Sequence, residues 1–106
     1  MPTTKIHVTA ADNELLLIAS TPAGSSQLLH YKSGFNKPVD VNVFPGAILA
    51  TGSYDLTMIG LNWGGPNNFT VTVTTDGHPQ VFQSNASTTH GNVWSQTIQI
   101  KVVSGQ

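Results

Sequence analysis

Residues 69–75 read Phe-Thr-Val-Thr-Val-Thr-Thr and are followed directly by Asp76 and Gly77. The strict alternation of apolar and polar side chains predicts a β-strand with one face in a core. Asp-Gly favours the type I′ turn of a two-residue hairpin, so we predict a returning strand over residues 78–84. Pro79 lacks an amide hydrogen, which predicts an edge position for that strand. The predicted register contains two cross-strand pairs, Val71 with Phe82 and Thr72 with Val81.

The rest of the chain repeats this pattern of short strands between turn-forming residues. The further predicted strands cover residues 5–9, 14–20, 27–32, 39–43, 54–61 and 93–103. The apolar run in 14–20 predicts a strand buried on both faces, and 47–51 is either a strand or a packed connection. No segment shows convincing helical periodicity. We therefore predict one all-β domain over residues 1–106, an antiparallel β-sandwich of jelly-roll type with eight or nine short strands, or alternatively a small β-barrel.

The composition is poor in charge and excludes several classes of partner. Charged residues make up 8% of the chain, there is no Arg, and the net charge is −1. Binding of nucleic acid or of an anionic membrane surface depends on clustered Lys and Arg, so neither partner is expected. The sequence has neither an apolar run of the roughly 20 residues that span a bilayer nor the apolar segment of a signal peptide. We expect a soluble protein that is cytoplasmic, or exported without a visible signal peptide.

The sequence contains no motif that frames a catalytic group. There is no Cys, and no Ser or Thr lies in a recognisable nucleophile motif. Asp40 and Asp55 lie in predicted strands beside polar residues, which favours a solvated face over a carboxylate pair. His78 and His90 lie in consecutive connections but lack a third ligand of a metal site. We therefore predict that the protein is not an enzyme.

Two polar loops near the C-terminal half have the residue types of a sugar-binding site. The first, residues 60–68, carries Trp63 between two predicted strands; the second covers residues 85–92. Sugars stack C–H groups on an aromatic ring and bond their hydroxyls to amides and hydroxyls. This pattern predicts binding of a neutral carbohydrate or glycoconjugate, although Trp63 folded back as a lid on the core is the open alternative. The predicted ligand-binding residues are Trp63, Asn62, Asn67, Asn68, Asn85, Thr88, His90 and Asn92.

Calcium is the one cofactor that the sequence suggests. Calcium takes Asp and Asn side-chain oxygens at irregular spacing, together with backbone carbonyls. Asp76, Asn85 and Asn92 are the candidate ligands, on the expectation that they converge at one end of the sandwich.

The segment Gly-Leu-Asn-Trp-Gly-Gly-Pro-Asn-Asn at 60–68 resembles the Gly-Leu…Trp…Pro-Asn-Asn segment of the soluble, calcium-dependent, galactose-binding lectins of bacteria. After a strand come Asp76, a loop with Asn and Gly, and a final alternating strand, in the same order as in that family. The resemblance covers the chain from Gly60 onward. It implies a small cysteine-free β-sandwich with bound calcium, a galactose ligand and a tetrameric assembly. Weak single sites gain affinity from multivalency, so a homo-oligomer is expected.

A structural or assembly subunit, such as a capsid, fibre or adhesin component, is the competing interpretation. It would use the Thr-rich strands for subunit contacts and bind no small ligand. The two interpretations differ at Trp63. A lectin should expose this side chain among amides, whereas an assembly subunit should bury it against the core or a neighbouring chain.

Overall fold

The computed structural model describes residues 2–33, 38–64, 68–84 and 90–105. The chain forms short strands joined by turns and includes one turn of helix, which overlaps the segment 47–51 that is predicted as a strand or a packed connection. The elements are β1 (Thr3–Ala11), β2 (Asn13–Thr21), β3 (Gly24–Ser33), β4 (Val41–Val43), α1 (Pro45–Ile48), β5 (Gly52–Asn62), β6 (Phe69–Thr75), β7 (His78–Gln83) and β8 (Gly91–Val102).

The strands form two antiparallel four-stranded sheets. The β1 sheet has the order β4-β1-β6-β7, and the β2 sheet has the order β3-β2-β5-β8. Hairpins join β2 to β3 and β6 to β7 within a sheet, and the other connections cross between the sheets. The predicted all-β antiparallel sandwich is thus confirmed. The part of the chain that the structure describes contains no helix with the length and apolar character needed to span a membrane.

The hairpin predicted from Phe69–Thr75 is confirmed in its turn and its register. Asp76 and Gly77 have φ values of 53° and 75°, as the two central residues of a type I′ turn require. Gly77 adopts this conformation without the steric cost that a side chain would add. Pro79 lies on β7, which is an edge strand as predicted. The observed pairs include Val71 with Phe82 and Thr72 with Val81.

Alternate side chains of the central strands fill the space between the sheets. Each fully buried aliphatic side chain contributes on the order of 1.5–3 kcal/mol to folding. On β2, Leu15, Leu17 and Ala19 are buried, whereas Leu16 and Ile18 are half-buried on the outer face of the sheet. The prediction that this strand is buried on both faces is therefore wrong. The core includes Ile6, Val8, Leu15, Leu17, Leu56, Met58, Phe69, Val71, Val73, Ile100 and Val102.

An aromatic contact joins the two sheets at one end of the sandwich. The rings of Phe69 on β6 and Trp94 on β8 stack with their centroids 5.9 Å apart and their planes 8° apart. Gly60 on β5 makes room for this stack, because a Cβ atom there would lie 2.7 Å from the ring of Phe69. Close packing of this kind holds the ends of β5, β6 and β8 together.

Different strand ends and turns lie at the two ends of the sandwich. At the Trp63 end, β1 finishes at Ala11, β2 begins at Asn13, β5 finishes at Asn62 and β8 begins opposite it at Gly91. At the hairpin end lie the β6–β7 turn and Pro2, whose carbonyl accepts a hydrogen bond from the amide of Asp76 at 3.1 Å.

Candidate functional site

Trp63 is the first residue after β5, and 59% of the residue is exposed. This exposure excludes the interpretation of Trp63 as a lid on the core. The side-chain oxygen of Asn13 accepts hydrogen bonds from the backbone amides of Trp63 at 2.9 Å and of Gly64 at 3.2 Å. These two hydrogen bonds attach the chain leaving β5 to the start of β2.

The indole nitrogen of Trp63 is held by a carboxylate. Its N–H donates to Oε1 of Glu14 at 2.8 Å, while Oε2 of Glu14 contacts Nε2 of His30. The Trp63 hydrogen bond and then the His30 hydrogen bond lower the pKa of Glu14 below its ordinary value, with a further contribution from the charge of Lys32. Glu14 is thus kept ionised with both oxygens engaged, and its side chain is only 14% exposed.

Strand register explains how these residues meet. Leu15 and Leu17 point into the core, so Glu14 points to the outer face of the β2 sheet. Directly opposite residues of an antiparallel pair point to the same face, and Glu14 pairs with Lys32 on β3 and with Leu61 on β5. His30 lies two residues before Lys32, and Trp63 lies two residues after Leu61, so both share this outer face.

Two of the predicted ligand-binding residues in the first loop have structural contacts. Asn62 is fully buried, and its side-chain oxygen accepts a hydrogen bond from the amide of Gly64 at 3.3 Å. A buried side chain offers no surface to a ligand, so Asn62 does not enter the site that we propose. Asn68 is exposed, and its carbonyl accepts a hydrogen bond from the amide of Asp12 at 3.1 Å.

The described end of the second predicted loop, residues 90–92, lies beside the start of the first. Asn62 pairs with Gly91, so Trp63 and His90 each lie one residue beyond the same register pair. His90 is exposed, and so is Asn92, which pairs with Leu61. These described parts of both loops share one end of the sandwich, as the sequence predicts. Three further predicted contacts lie outside the described residues: Asn67, Asn85 and Thr88.

The candidate calcium ligands do not converge. Asp76 lies in the hairpin turn, whereas Asn92 lies at the Trp63 end, and β6 between these ends spans about 20 Å at roughly 3.3 Å per residue. Asn85 lies outside the described residues. Within the described ranges, no group of three or more His, Asp or Glu side chains is arranged to hold a metal ion. His78 and His90 are likewise far apart, because His78 lies at the hairpin end and His90 at the Trp63 end.

The titratable pairs do not form a nucleophile site within the described part of the chain. His7 contacts Asp40 through Nε2 and Oδ1 at 2.6 Å, and His30 contacts Glu14. Among the described residues, neither imidazole hydrogen-bonds to a Ser or Thr hydroxyl. Glu14 and His30 instead serve to orient the Trp63 ring.

No signal in the sequence identifies Asn13, Glu14 or His30 as part of this site. Asn13 and Glu14 stand between a turn and an apolar run, which marks the start of a strand but indicates no partner. His30 sits in an ordinary strand pattern. Only the pairing of β2 with both β3 and β5 brings these side chains to Trp63.

Comparisons of the chain with protein-family models, with curated proteins and with solved structures found no match. The chemistry of the Trp63 end is the feature of the molecule that bears on function.

Proposed function

We propose that the protein is a noncatalytic carbohydrate-binding protein that stacks a neutral sugar on the ring of Trp63. The observation that carries this proposal is an exposed indole whose edge is fixed by the ionised Glu14. Trp is highly buried on average in proteins, so a Trp that is exposed and also oriented by a hydrogen bond suits a binding surface.

A ring that is already fixed before the ligand binds raises the affinity of a weak site. An unrestrained side chain loses roughly 0.5–1.5 kcal/mol of conformational freedom when a ligand immobilises it. Trp63 is already held at the backbone by Asn13 and at the ring by Glu14. Stacking of a sugar on the ring contributes about 1 kcal/mol, by analogy with aromatic pairs. The ring contact is therefore retained at a smaller entropic cost.

Polar groups beside Trp63 suit the hydroxyls of a neutral sugar. His90 and Asn92 are exposed next to the strand end that precedes Trp63. The side-chain nitrogen of Asn13 has no hydrogen-bond partner among the described residues and can donate to a sugar oxygen. Each oxygen of Glu14 already contacts Trp63 or His30, so we assign the carboxylate to holding the ring and the hydrogen bonds to sugar to Asn13, His90 and Asn92. Asn67, Asn68, Asn85 and Thr88 remain predicted contributors from the same two loops.

Tryptophan fluorescence tests the proposal directly. The chain has two Trp residues, and Trp94→Phe keeps an aromatic ring against Phe69 while leaving Trp63 as the single Trp. We expect the emission of Trp63 in this variant to shift on titration with a neutral sugar from a panel, and Trp63→Ala in the natural background to abolish binding on a glycan array. An unchanged spectrum and an empty array for every sugar, with and without calcium, would refute the proposal.

The assembly-subunit alternative makes a different prediction for the same fluorophore. It requires the exposed Trp63 to contact a neighbouring chain, so the emission of the Trp94→Phe variant should change with protein concentration in the absence of sugar. An emission spectrum that responds to sugar and not to protein concentration favours the lectin.

A further inference from the structure

The edge strands of the two sheets differ in how well they are protected against pairing with another chain. In the described chain, β4 has three residues, and β7 has six and carries Pro79. β3 carries Lys32, and a register shift leaves Leu28 as an unpaired bulge residue. Short length, Pro, Lys and bulges are the devices that protect sheet edges from pairing. The fourth edge, β8, has 12 residues and is the longest strand described.

β8 lacks these protective features over most of its length. Residues 94–102 pair with residues 52–60 of β5 without a register shift, and the shift in β8 is confined to Val93 at its start. Residues 94–100 contain no charge and no Pro. Ser95, Gln96 and Thr97 are all exposed, so both faces of the strand are open to solvent at its centre. A long, regular edge whose residues carry no charge before Lys101 favours addition of another strand.

Two apolar side chains on β8 are incompletely covered by their own chain. Trp94 and Ile98 pair with Gly60 and Leu56, which are both buried, so they point toward the space between the sheets. Both are nevertheless only half-buried, in contrast to Ile100 and Val102 further along the strand. An additional strand at this edge would remove more of their apolar surface from water.

We propose that β8 pairs antiparallel with β8 of a second copy of this chain, with Ile98 at the two-fold axis. The two β2 sheets then form one continuous eight-stranded sheet. This register aligns residues 94–102 of the two copies along their whole length. Across the interface, Ile98 lies opposite Ile98, Trp94 opposite Val102, Thr97 opposite Gln99, and Ser95 opposite Lys101.

Charge placement and edge protection favour a second copy as the partner. The single charge within the paired segment, Lys101, lies opposite the neutral Ser95, and the two Lys101 side chains stand about 20 Å apart, six residues along the strand. Like charges are therefore kept apart. The other edges of a second copy are short or protected, so its own β8 is the edge that complements this strand. This pairing is independent of sugar binding.

The molar mass in solution tests this pairing, with Thr97→Lys as the disrupting variant. Thr97 is exposed, and in the proposed register the two substituted side chains are diagonal neighbours across the interface, so their like charges repel. We expect light scattering to give twice the single-chain mass for the natural chain and the single-chain mass for Thr97→Lys. Thr57→Lys is the matched control, because Thr57 pairs with Thr97 on the same face one strand inside the edge. This control should remain dimeric; a single-chain mass for the natural chain, or a dimer of Thr97→Lys, overturns the proposal.

Disulfide formation tests the register. The chain has no Cys, so one introduced thiol can cross-link only to its copy. Cβ atoms directly opposite across an antiparallel pair lie within about 4.5–5.5 Å, close enough for a disulfide. We expect Ile98→Cys to form covalent dimers on oxidation and Ser95→Cys, about 20 Å from its copy, to form none. The two-fold axis at Ile98 is overturned if the dimer does not cross-link through Ile98→Cys, or if it cross-links through Ser95→Cys.

Discussion

The indole N–H of Trp63 donates to Oε1 of Glu14 at 2.8 Å, although the two residues are 49 positions apart in the chain. The contact exists because β2 pairs with β5, which sets Glu14 opposite Leu61, two residues before Trp63. The ring is thereby oriented by the sheet as well as by its own loop. Substitution of Glu14 on β2 or of His30 on β3 is therefore expected to change sugar binding through the orientation of the Trp63 ring.

Replacing Glu14 by Gln should weaken sugar binding without unfolding the protein. Gln keeps an acceptor for the indole but loses the charge, and a hydrogen bond to a charged group is stronger than a neutral one by about 1 kcal/mol. We expect roughly fivefold weaker affinity and faster depolarisation of Trp63 fluorescence in the Trp94→Phe background. Asp55→Asn removes the same charge from an exposed position near the start of β5 and should change neither quantity. Equal effects of the two substitutions would assign the change to net charge alone.

The contribution of Glu14 to stability should disappear in acid. Its pKa is lowered from the ordinary value of 4.5 by the Trp63 and His30 contacts, so the folded protein binds the proton less readily than the unfolded chain does. The stabilisation is therefore fully present above about pH 5 and is lost as the pH falls through the folded-state pKa. Denaturant unfolding of the natural chain and of Glu14→Gln at several pH values measures this. The difference between their unfolding free energies should shrink below about pH 5, and a difference that grows there contradicts the assignment.

Asn13→Ala should loosen the attachment of Trp63. The substitution removes the acceptor for the amides of Trp63 and Gly64, each worth about 0.5–1.5 kcal/mol. We expect a loss of about 1–2 kcal/mol in unfolding free energy and weaker sugar binding, measured by thermal unfolding and by titration. Asn68→Ala is the control for stability, because the described contact of Asn68 is made by its backbone carbonyl and survives the substitution. If both variants unfold at the same temperature as the natural chain, Asn13 does not fasten this segment.

Gly60→Ala should destabilise the fold by about 1–3 kcal/mol through overpacking. The new methyl group would lie 2.7 Å from the Phe69 ring, which is itself confined by its stack on Trp94. Gly64→Ala is the matched control, since a Cβ atom there meets nothing within 4 Å. Chemical denaturation compares the two variants. In a Phe69→Leu background, Gly60→Ala should cost less unfolding free energy than it does in the natural chain. A loss of the same size in both single variants would disprove the steric explanation.

The hairpin was predictable down to its register because its signals are local. The alternation in Phe69–Thr75 and the Asp76-Gly77 pair decide the strand face and the turn within a few residues of sequence. The same signals already argue against a calcium site that joins Asp76 to Asn85. One strand lies between these positions in the sequence, and it carries the chain away from the turn.

The residues that surround Trp63 are brought together by strand pairing, which no local sequence pattern reveals. Glu14 and His30 reach Trp63 through two strand interfaces, and nothing in their own neighbourhoods selects those partners. Asn62 is a different case, because its burial follows from strand parity. Leu56 and Met58 face the core, so every second residue of β5 onward to Asn62 does the same. The alternation along β5 therefore predicts that Asn62 is buried and is not a ligand contact.

The antiparallel pairing proposed for β8 has a geometric consequence for adhesion. A two-fold axis at Ile98 runs perpendicular to the joined sheet, so the outer faces of both copies look the same way. The two Trp63 rings would then stand on one side of the dimer, about 50 Å apart from the strand rise and spacing. Such a dimer would bind a glycan-coated surface with both rings at once, and its avidity would depend on the spacing of the glycans. Thr97→Lys would then remove the gain on a dense surface while leaving the affinity for free sugar unchanged.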